Sequence, residues 1–168
     1  LNLDAGAGLN TLIVDDGGDA DADLSVVIKD NQISGLSLAD INYQASGGSF
    51  AAVAGDSAGD SAPENRIRIY GGTGGNSITI ESTRNLSNEY TVVNSGLGDD
   101  VVIVTETDIT HLHINAETGN DLVDASASDG QEYALHIQGS DGNDVLIGGL
   151  SADVIIGDLG DDKIYGHT

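Results

Sequence analysis

The sequence GSDGNDVLIGGLSADVIIGDLGDDKIY (residues 139–165) consists of three nine-residue blocks that run end to end. Each block begins with Gly, carries Asp at its sixth position and has a large apolar residue at its eighth. The blocks therefore match the pattern G-G-x-G-x-D-x-U-x, in which U is a large apolar residue. Because so short a unit cannot bury its own apolar side chains, successive copies must stack and share one core. This stretch predicts an all-β solenoid.

The same turn recurs upstream within longer units, at GGTGGNSIT (71–79), SGLGDDVVI (95–103), AETGNDLVD (116–124) and, more weakly, AGAGLNTLI (5–13). The fourth-position glycines of these turns are Gly8, Gly74, Gly98, Gly119, Gly142 and Gly160. From Gly74 onward they are 24, 21, 23 and 18 residues apart, which is the length of a solenoid coil. The interval of 66 residues between Gly8 and Gly74 predicts about three coils, or two coils with an insertion.

Aligning the units by their turns produces three apolar columns, since side chains alternate between the two faces of a strand. The predicted columns are Ile67, Thr91, Leu112 and Leu135; Ile69, Val93, Ile114 and Ile137; and Ile78, Val102, Val123 and Leu146. The positions between them are mostly polar, as in Arg68, His113 and His136. We therefore expect one buried and one outward face on each strand.

These blocks resemble the RTX, or hemolysin-type calcium-binding, repeat family, closely over residues 139–166 and more loosely back to about residue 66. The resemblance implies a right-handed parallel β-helix or β-roll. It also implies that backbone carbonyls and the sixth-position Asp hold Ca²⁺ between stacked turns. We expect one solenoid segment over 1–168, with degenerate coils, acidic loops and an insertion in 1–65. Long coils follow in 66–138 and a nonapeptide β-roll in 139–168.

The metal ligands that the resemblance predicts differ in quality along the chain. The best site lies between turns 139–144 and 157–162, with Gly139, Ser140, Asp141, Gly142, Asp144, Gly157, Asp158, Gly160 and Asp162. Further sites involve Gly98, Asp100, Gly119 and Asp121, although Ala116 and Glu117 replace two turn glycines there. Asp153 lies on the opposite side, where we expect a vacant or partial site. Asn10 and Asn76 offer no charge, so we expect weak or no binding at those turns. The alternative is that the turns are structural corners alone.

Charge points to the same ion. There are 28 acidic and 5 basic residues, for a formal net charge of −23, which excludes nucleic acid as a natural partner. Carboxylates on adjacent coils, ~4.8 Å apart, repel each other by about 3 kcal/mol per pair at an effective dielectric of 20. Divalent cations convert that repulsion into coordination, so we expect several bound Ca²⁺ ions and coupling between binding and folding.

Two other groups are metal candidates. Asp19, Asp21 and Asp23 in the acidic loop 15–23 have the spacing of an EF-hand's first half. Leu24 replaces the turn glycine, and Asp30 instead of Glu stands at loop position 12, so we do not expect an EF-hand. The loop is either an irregular calcium site or a solvated acidic loop. His113 and His136 share a register, with His111 nearby, and form either a transition-metal site or an exposed ladder without a metal.

No catalytic constellation accompanies these turns, and we expect no enzyme activity. The sequence contains no Cys, no HExxH motif and no apolar run long enough to span a bilayer. We expect a calcium-binding structural module that folds and stiffens outside the cell, within a large secreted or cell-surface, adhesin-like bacterial protein exported by type I secretion. The alternative is an accessory module of a secreted protease, lipase or alginate epimerase. End-to-end self-association and a polysaccharide ligand remain open.

Overall fold

A computed structural model describes residues 1–9, 11–18, 20–23, 25–29, 31–36, 41–44, 48–49, 67–83, 91–105, 111–128 and 135–166. The strands in these residues are β1 (Asn2–Asp4), β2 (Gly8–Leu9), β3 (Leu12–Asp15), β4 (Val26–Ile28), β5 (Gln32–Ser34), β6 (Ile41–Gln44), β7 (Gly48–Ser49), β8 (Ile67–Tyr70), β9 (Ser77–Ile80), β10 (Thr91–Asn94), β11 (Val101–Val104), β12 (Leu112–Asn115), β13 (Leu122–Asp124), β14 (His136–Asp141), β15 (Val145–Ile147), β16 (Val154–Leu159) and β17 (Lys163–Tyr165). Across these ranges, no helix has the length and apolarity needed to cross a bilayer.

The strands stack into two long sheets. One has the order β1-β6-β5-β4-β9-β11-β13-β15-β17 and the other β16-β14-β12-β10-β8-β3. Six consecutive strand pairs, from β3–β4 and β8–β9 to β16–β17, each place one strand in either sheet, and neighbouring pairs run parallel. This arrangement confirms the predicted all-β parallel solenoid.

The predicted apolar columns are confirmed by the pairing register and by burial. Ile69 pairs with Val93, Val93 with Ile114 and Ile114 with Ile137, and the other two columns are aligned in the same way. Thr91 is 5% exposed, and the other eleven column residues are 1% exposed or less. Branched aliphatic side chains suit this core because they fill the space between pleated sheets without polar atoms to satisfy.

The N-terminal coil differs from the prediction. β3 pairs with β8 and β4 pairs with β9, so residues 12–28 form the coil that immediately precedes 67–80. Gly8 pairs with Gly48 in the two-stranded β2–β7 sheet. The assignment of Gly8 to the column of turn glycines is therefore wrong, and so is the expectation of two or three coils between Gly8 and Gly74.

Beyond β4, the nine-stranded sheet is no longer wholly parallel. β5 pairs antiparallel with β4 and with β6, and β1 then pairs parallel with β6. Tyr43 is 3% exposed, and its hydroxyl donates to the Lys29 carbonyl at 2.6 Å. The acidic stretch 55–65, which the sequence indicates to be an insertion, lies outside the described residues.

The two faces of β10 provide a matched test of the core. Val93 is fully buried, whereas Val92 lies on the outward face between Arg68 and His113 of the neighbouring strands. We expect Val93→Ala to reduce the free energy of unfolding by about 2 kcal/mol through lost burial and a cavity. Val92→Ala changes the same side chain at the same strand and should cost much less. Equal losses in denaturant unfolding would contradict the assignment of faces.

Candidate metal centre

Six-residue turns connect the two sheets, and glycine at their fourth position is required for two reasons. Gly98, Gly119, Gly142 and Gly160 have φ values of 102°, 154°, 147° and 144°, in the region that side chains rarely adopt. In addition, a methyl group on Gly142 would collide with the Gly119 carbonyl oxygen, and one on Gly160 with that of Gly142. These glycines therefore allow successive turns to stack with their backbones in close contact.

The second position of the turns is also left-handed, without requiring glycine. Glu117, Ser140 and Asp158 have φ values of 69°, 76° and 68°. The turn at 116–121 thus keeps this conformation although Ala116 and Glu117 replace glycines.

Sixth-position residues form a continuous hydrogen-bonded column. The N–H of Asp144 donates to Asp162 Oδ1 at 3.0 Å, that of Asp121 to Asp144 Oδ1 at 2.8 Å, and that of Asp100 to Asp121 Oδ1 at 2.7 Å. The column continues from Asn76 N to Asp100 Oδ1 at 2.6 Å. The structure therefore brings together the sixth-position residues of turns 71–76 to 157–162, as the sequence predicts.

The column begins at Asp23, which the sequence predicted to lie in the EF-hand-like acidic loop. The N–H of Asp23 donates to Asn76 Oδ1 at 3.0 Å, and Ser77 N donates back to the Asp23 carbonyl at 2.7 Å. Asp23, and not Asn10, is thus the first sixth-position residue; Asn10 lies outside the described residues. Asp16 lies at the start of the same turn, because its N–H donates to the Tyr70 carbonyl, and its Oδ2 is buried with no hydrogen-bond partner.

The second carboxylate oxygens of the column are buried and have no hydrogen-bond partner. This holds for Oδ2 of Asp100, Asp121 and Asp144, whose residues are only 1%, 2% and 1% exposed. Each Oδ1 accepts a backbone N–H, whereas the other oxygen accepts no hydrogen bond. An unpaired buried polar atom is costly, and a charged one more so. A cation beside these oxygens would remove that cost.

Backbone carbonyls lie beside these oxygens. A methyl group on Gly139 would collide with Asp144 Oδ2 and would stand 2.9 Å from the Gly157 carbonyl oxygen. One on Gly157 would collide with Asp162 Oδ2. Carboxylate and carbonyl oxygens are the ligands that Ca²⁺ prefers, so the residues present fit this ion. Because no group of three or more His, Asp or Glu side chains converges among the described residues, the remaining ligands must be carbonyls or water.

The pairs of stacked turns differ in the residue at the first position of the turn. Gly139 has no side chain beside Asp144 Oδ2, whereas the equivalent residues Ser95 and Ala116 carry fully buried side chains. The Ser95 hydroxyl donates to the Ala116 carbonyl at 3.0 Å, so this carbonyl oxygen already has a hydrogen-bond partner. At the junction of turns 139–144 and 157–162 both first-position residues are glycine, and its rank as the best calcium site stays a prediction.

Burial changes the protonation of the column in the metal-free protein. Burial, together with a smaller contribution from the neighbouring carboxylates of Asp100 and Asp144, raises the pKa of Asp121 to about 7. Burial also raises the pKa values of Asp100 and Asp144 above their ordinary range. These groups are charged at neutral pH only at an energetic cost, which a divalent cation would offset.

Asp153 differs from the column. Its Oδ1 accepts from Leu135 N at 3.0 Å and its Oδ2 from Gly149 N at 2.7 Å. Both oxygens therefore have backbone donors, and the carboxylate closes its own corner of the solenoid. The expectation of a vacant or partial site at Asp153 stays a prediction.

The remaining metal candidates receive no additional ligands. His113 and His136 pair in register, and their rings stack with centroids 4.8 Å apart, so the predicted proximity is confirmed. Of the EF-hand-like loop, Asp19, Leu24 and Asp30 lie outside the described residues, and Asp23 belongs to the turn column. Neither group gathers three His, Asp or Glu side chains within the residues that the structure describes.

Comparison with known families agrees with this geometry. The model of the RTX calcium-binding nonapeptide repeat matches residues 136–168, in four copies. The C-terminal coils are therefore RTX repeats, a calcium-binding structural motif. Neither the curated proteins nor the solved structures gave a match to this chain.

The turn glycines can be tested in a matched pair. Gly142→Ala places a methyl group against the Gly119 carbonyl at a positive φ, whereas a methyl group on Gly166 meets no atom within 4 Å. We expect Gly142→Ala to lower the melting temperature by several degrees, because the backbone must move. Gly166→Ala should melt like the wild type. A wild-type melting curve for Gly142→Ala would contradict the stacking described here.

The pKa of Asp121 predicts how the metal-free protein responds to pH. Since folding raises that pKa from an ordinary 3.8 to about 7, the protonated carboxyl stabilises the folded state. This contribution is complete below about pH 4 and is lost as the pH rises through about 7. In EDTA, the melting temperature should therefore fall between about pH 5 and pH 7.5. Asp121→Asn should show a shallower fall; equal slopes would contradict the prediction.

Proposed function

We propose that this chain is a calcium-binding structural module that folds and stiffens on binding extracellular Ca²⁺, within a large secreted or cell-surface bacterial protein. The single observation that carries the proposal is the buried, unpartnered Oδ2 of Asp100, Asp121 and Asp144. The RTX match over residues 136–168 supports calcium as the ion. The long coils upstream of the nonapeptides favour a structural module over an accessory module of an enzyme.

The mechanism follows from the position of the carboxylates. Without metal, the folded state must either protonate the column or hold its charges close together in a buried interior. Ca²⁺ between the turns neutralises the carboxylates and binds the adjacent carbonyls, so binding free energy becomes folding free energy. At a calcium concentration of about 100 Kd, each independent site adds about 2.7 kcal/mol to stability.

The same coupling supports the proposed location. In a cytosol poor in calcium, a chain with a net charge of −23 lacks the counter-ion that its turns need, and remains competent for type I export. Outside the cell, calcium stabilises the stacked coils. The module then acts as a stiff spacer, because each coil contacts its neighbours along the solenoid axis.

Removal of calcium tests this function directly. We expect the circular dichroism spectrum to gain β-structure and the melting temperature to rise when Ca²⁺ replaces EDTA. Mg²⁺ at equal concentration, which controls for general screening of the negative charge, should have a much smaller effect because it resists dehydration and demands octahedral geometry. A spectrum and melting temperature that are indifferent to chelation would overturn the proposal.

Substitution of two aspartates tests which carboxylates bind calcium and which only accept backbone hydrogen bonds. Asp121→Ala removes an unpartnered buried oxygen, so fewer Ca²⁺ ions should bind in calorimetric titration. Asp153→Ala removes an acceptor of two backbone N–H groups. It should lower the melting temperature in both EDTA and calcium but leave the number of bound ions unchanged. The opposite assignment of the two effects would contradict the proposed ligands.

A further inference from the structure

The junction between turns 71–76 and 95–100 is bonded differently from the others in the column. Its sixth-position residue is Asn76, which is 2% exposed. Asn76 Nδ2 donates to the Ser95 carbonyl at 2.9 Å and is 3.4 Å from the Gly72 carbonyl. Its Oδ1 accepts from Asp23 N, and its own N–H donates to Asp100 Oδ1. Every polar group of this buried residue therefore has a partner.

Asn76 and Asp144 occupy equivalent places with opposite chemistry. A methyl group on Gly71 would collide with the Ser95 carbonyl and stand 3.2 Å from Asn76 Nδ2. A methyl group on Gly139, the corresponding glycine, meets the Gly157 carbonyl and Asp144 Oδ2 in the same way. At Gly71, an N–H donor faces a carbonyl and bonds to it. At Gly139, a carboxylate oxygen and a carbonyl oxygen both lie beside the glycine, and Asp144 Oδ2 has no hydrogen-bond partner.

We propose that the Asn76 side-chain amide takes the place of a calcium ion, so that the junction of turns 71–76 and 95–100 forms without metal. The inference rests on the proposed function and specifies which junction does not depend on the ion. The amide supplies to the carbonyls what Ca²⁺ supplies elsewhere, a positive partner in a closed interior. Because Asn76 is neutral, the sixth-position column also has no carboxylate between those of Asp23 and Asp100.

This exception divides the solenoid into parts with different calcium dependence. Coils 67–80 and 91–104 bury Ile69, Ile78, Val93 and Val102 and need no cation between their turns. They provide a folded pair of coils in the metal-free protein, whose exposed strand edges are available for the calcium-dependent coils. Folding of β12 to β17 then extends an existing edge, which avoids the loop-closure cost of a new nucleus.

A reciprocal exchange tests the inference. Asn76→Asp places a carboxylate oxygen against the Ser95 carbonyl, and should bind one more Ca²⁺ per chain than the wild type and melt at a lower temperature in EDTA. Asp144→Asn places an amide against the Gly157 carbonyl, and should bind one fewer Ca²⁺ and melt at a higher temperature in EDTA. Asn2→Asp adds the same charge at an exposed position and keeps an acceptor for Asn42 Nδ2. It should match the wild type in both measurements.

Calorimetric stoichiometry and melting in EDTA distinguish the outcomes. Equal numbers of bound ions in wild type and Asn76→Asp, or a lower melting temperature of Asp144→Asn in EDTA, would overturn the role of the amide while leaving the calcium module intact. If Asn76→Asp does not fold in EDTA, its stoichiometry in calcium and the Asp144→Asn variant still decide. A wild type that binds no calcium would overturn the proposed function and this inference together.

Discussion

The structure depends on one electrostatic constraint, the stacking of carboxylates inside a closed turn. Parallel coils repeat at ~4.8 Å, so any residue at a fixed turn position is repeated along a column. The backbone satisfies one oxygen of each sixth-position aspartate, since every Oδ1 accepts the N–H of the preceding turn. It provides no donor for Oδ2 of Asp100, Asp121 and Asp144. We therefore propose that a cation supplies the partner that the polypeptide does not provide for these oxygens.

Glycine makes this geometry possible. At the fourth position, Gly119 and Gly142 bring consecutive backbones so close that no side chain fits. At the first position, Gly139 and Gly157 bring the backbone close to the carboxylate oxygens, whereas the equivalent Ser95 and Ala116 carry buried side chains. We therefore expect the affinity for calcium to vary from junction to junction with the residues at positions one and six, while the apolar columns remain the same throughout.

Much of this could be predicted from the repeat. The apolar columns, the Gly–Asp turns and the proximity of His113 and His136 all follow from register alone. The N-terminal coil could not be predicted, because the turn that ends at Asp23 is longer than six residues and lacks the glycine pattern. The antiparallel pairing of β4, β5 and β6 lies outside any repeat. The role of Asn76 depends on which way its amide points, and only the hydrogen bonds of the folded turn show this.

Anomalous diffraction from crystals grown with Ca²⁺, or with a lanthanide in its place, tests the central claim most directly. The account predicts a strong peak beside Asp144 Oδ2 and the Gly157 carbonyl, further peaks only at turns whose sixth residue is Asp, and none beside Asn76. An interior without a peak at Asp144, in crystals that contain the ion, would contradict the claim that cations hold these turns together.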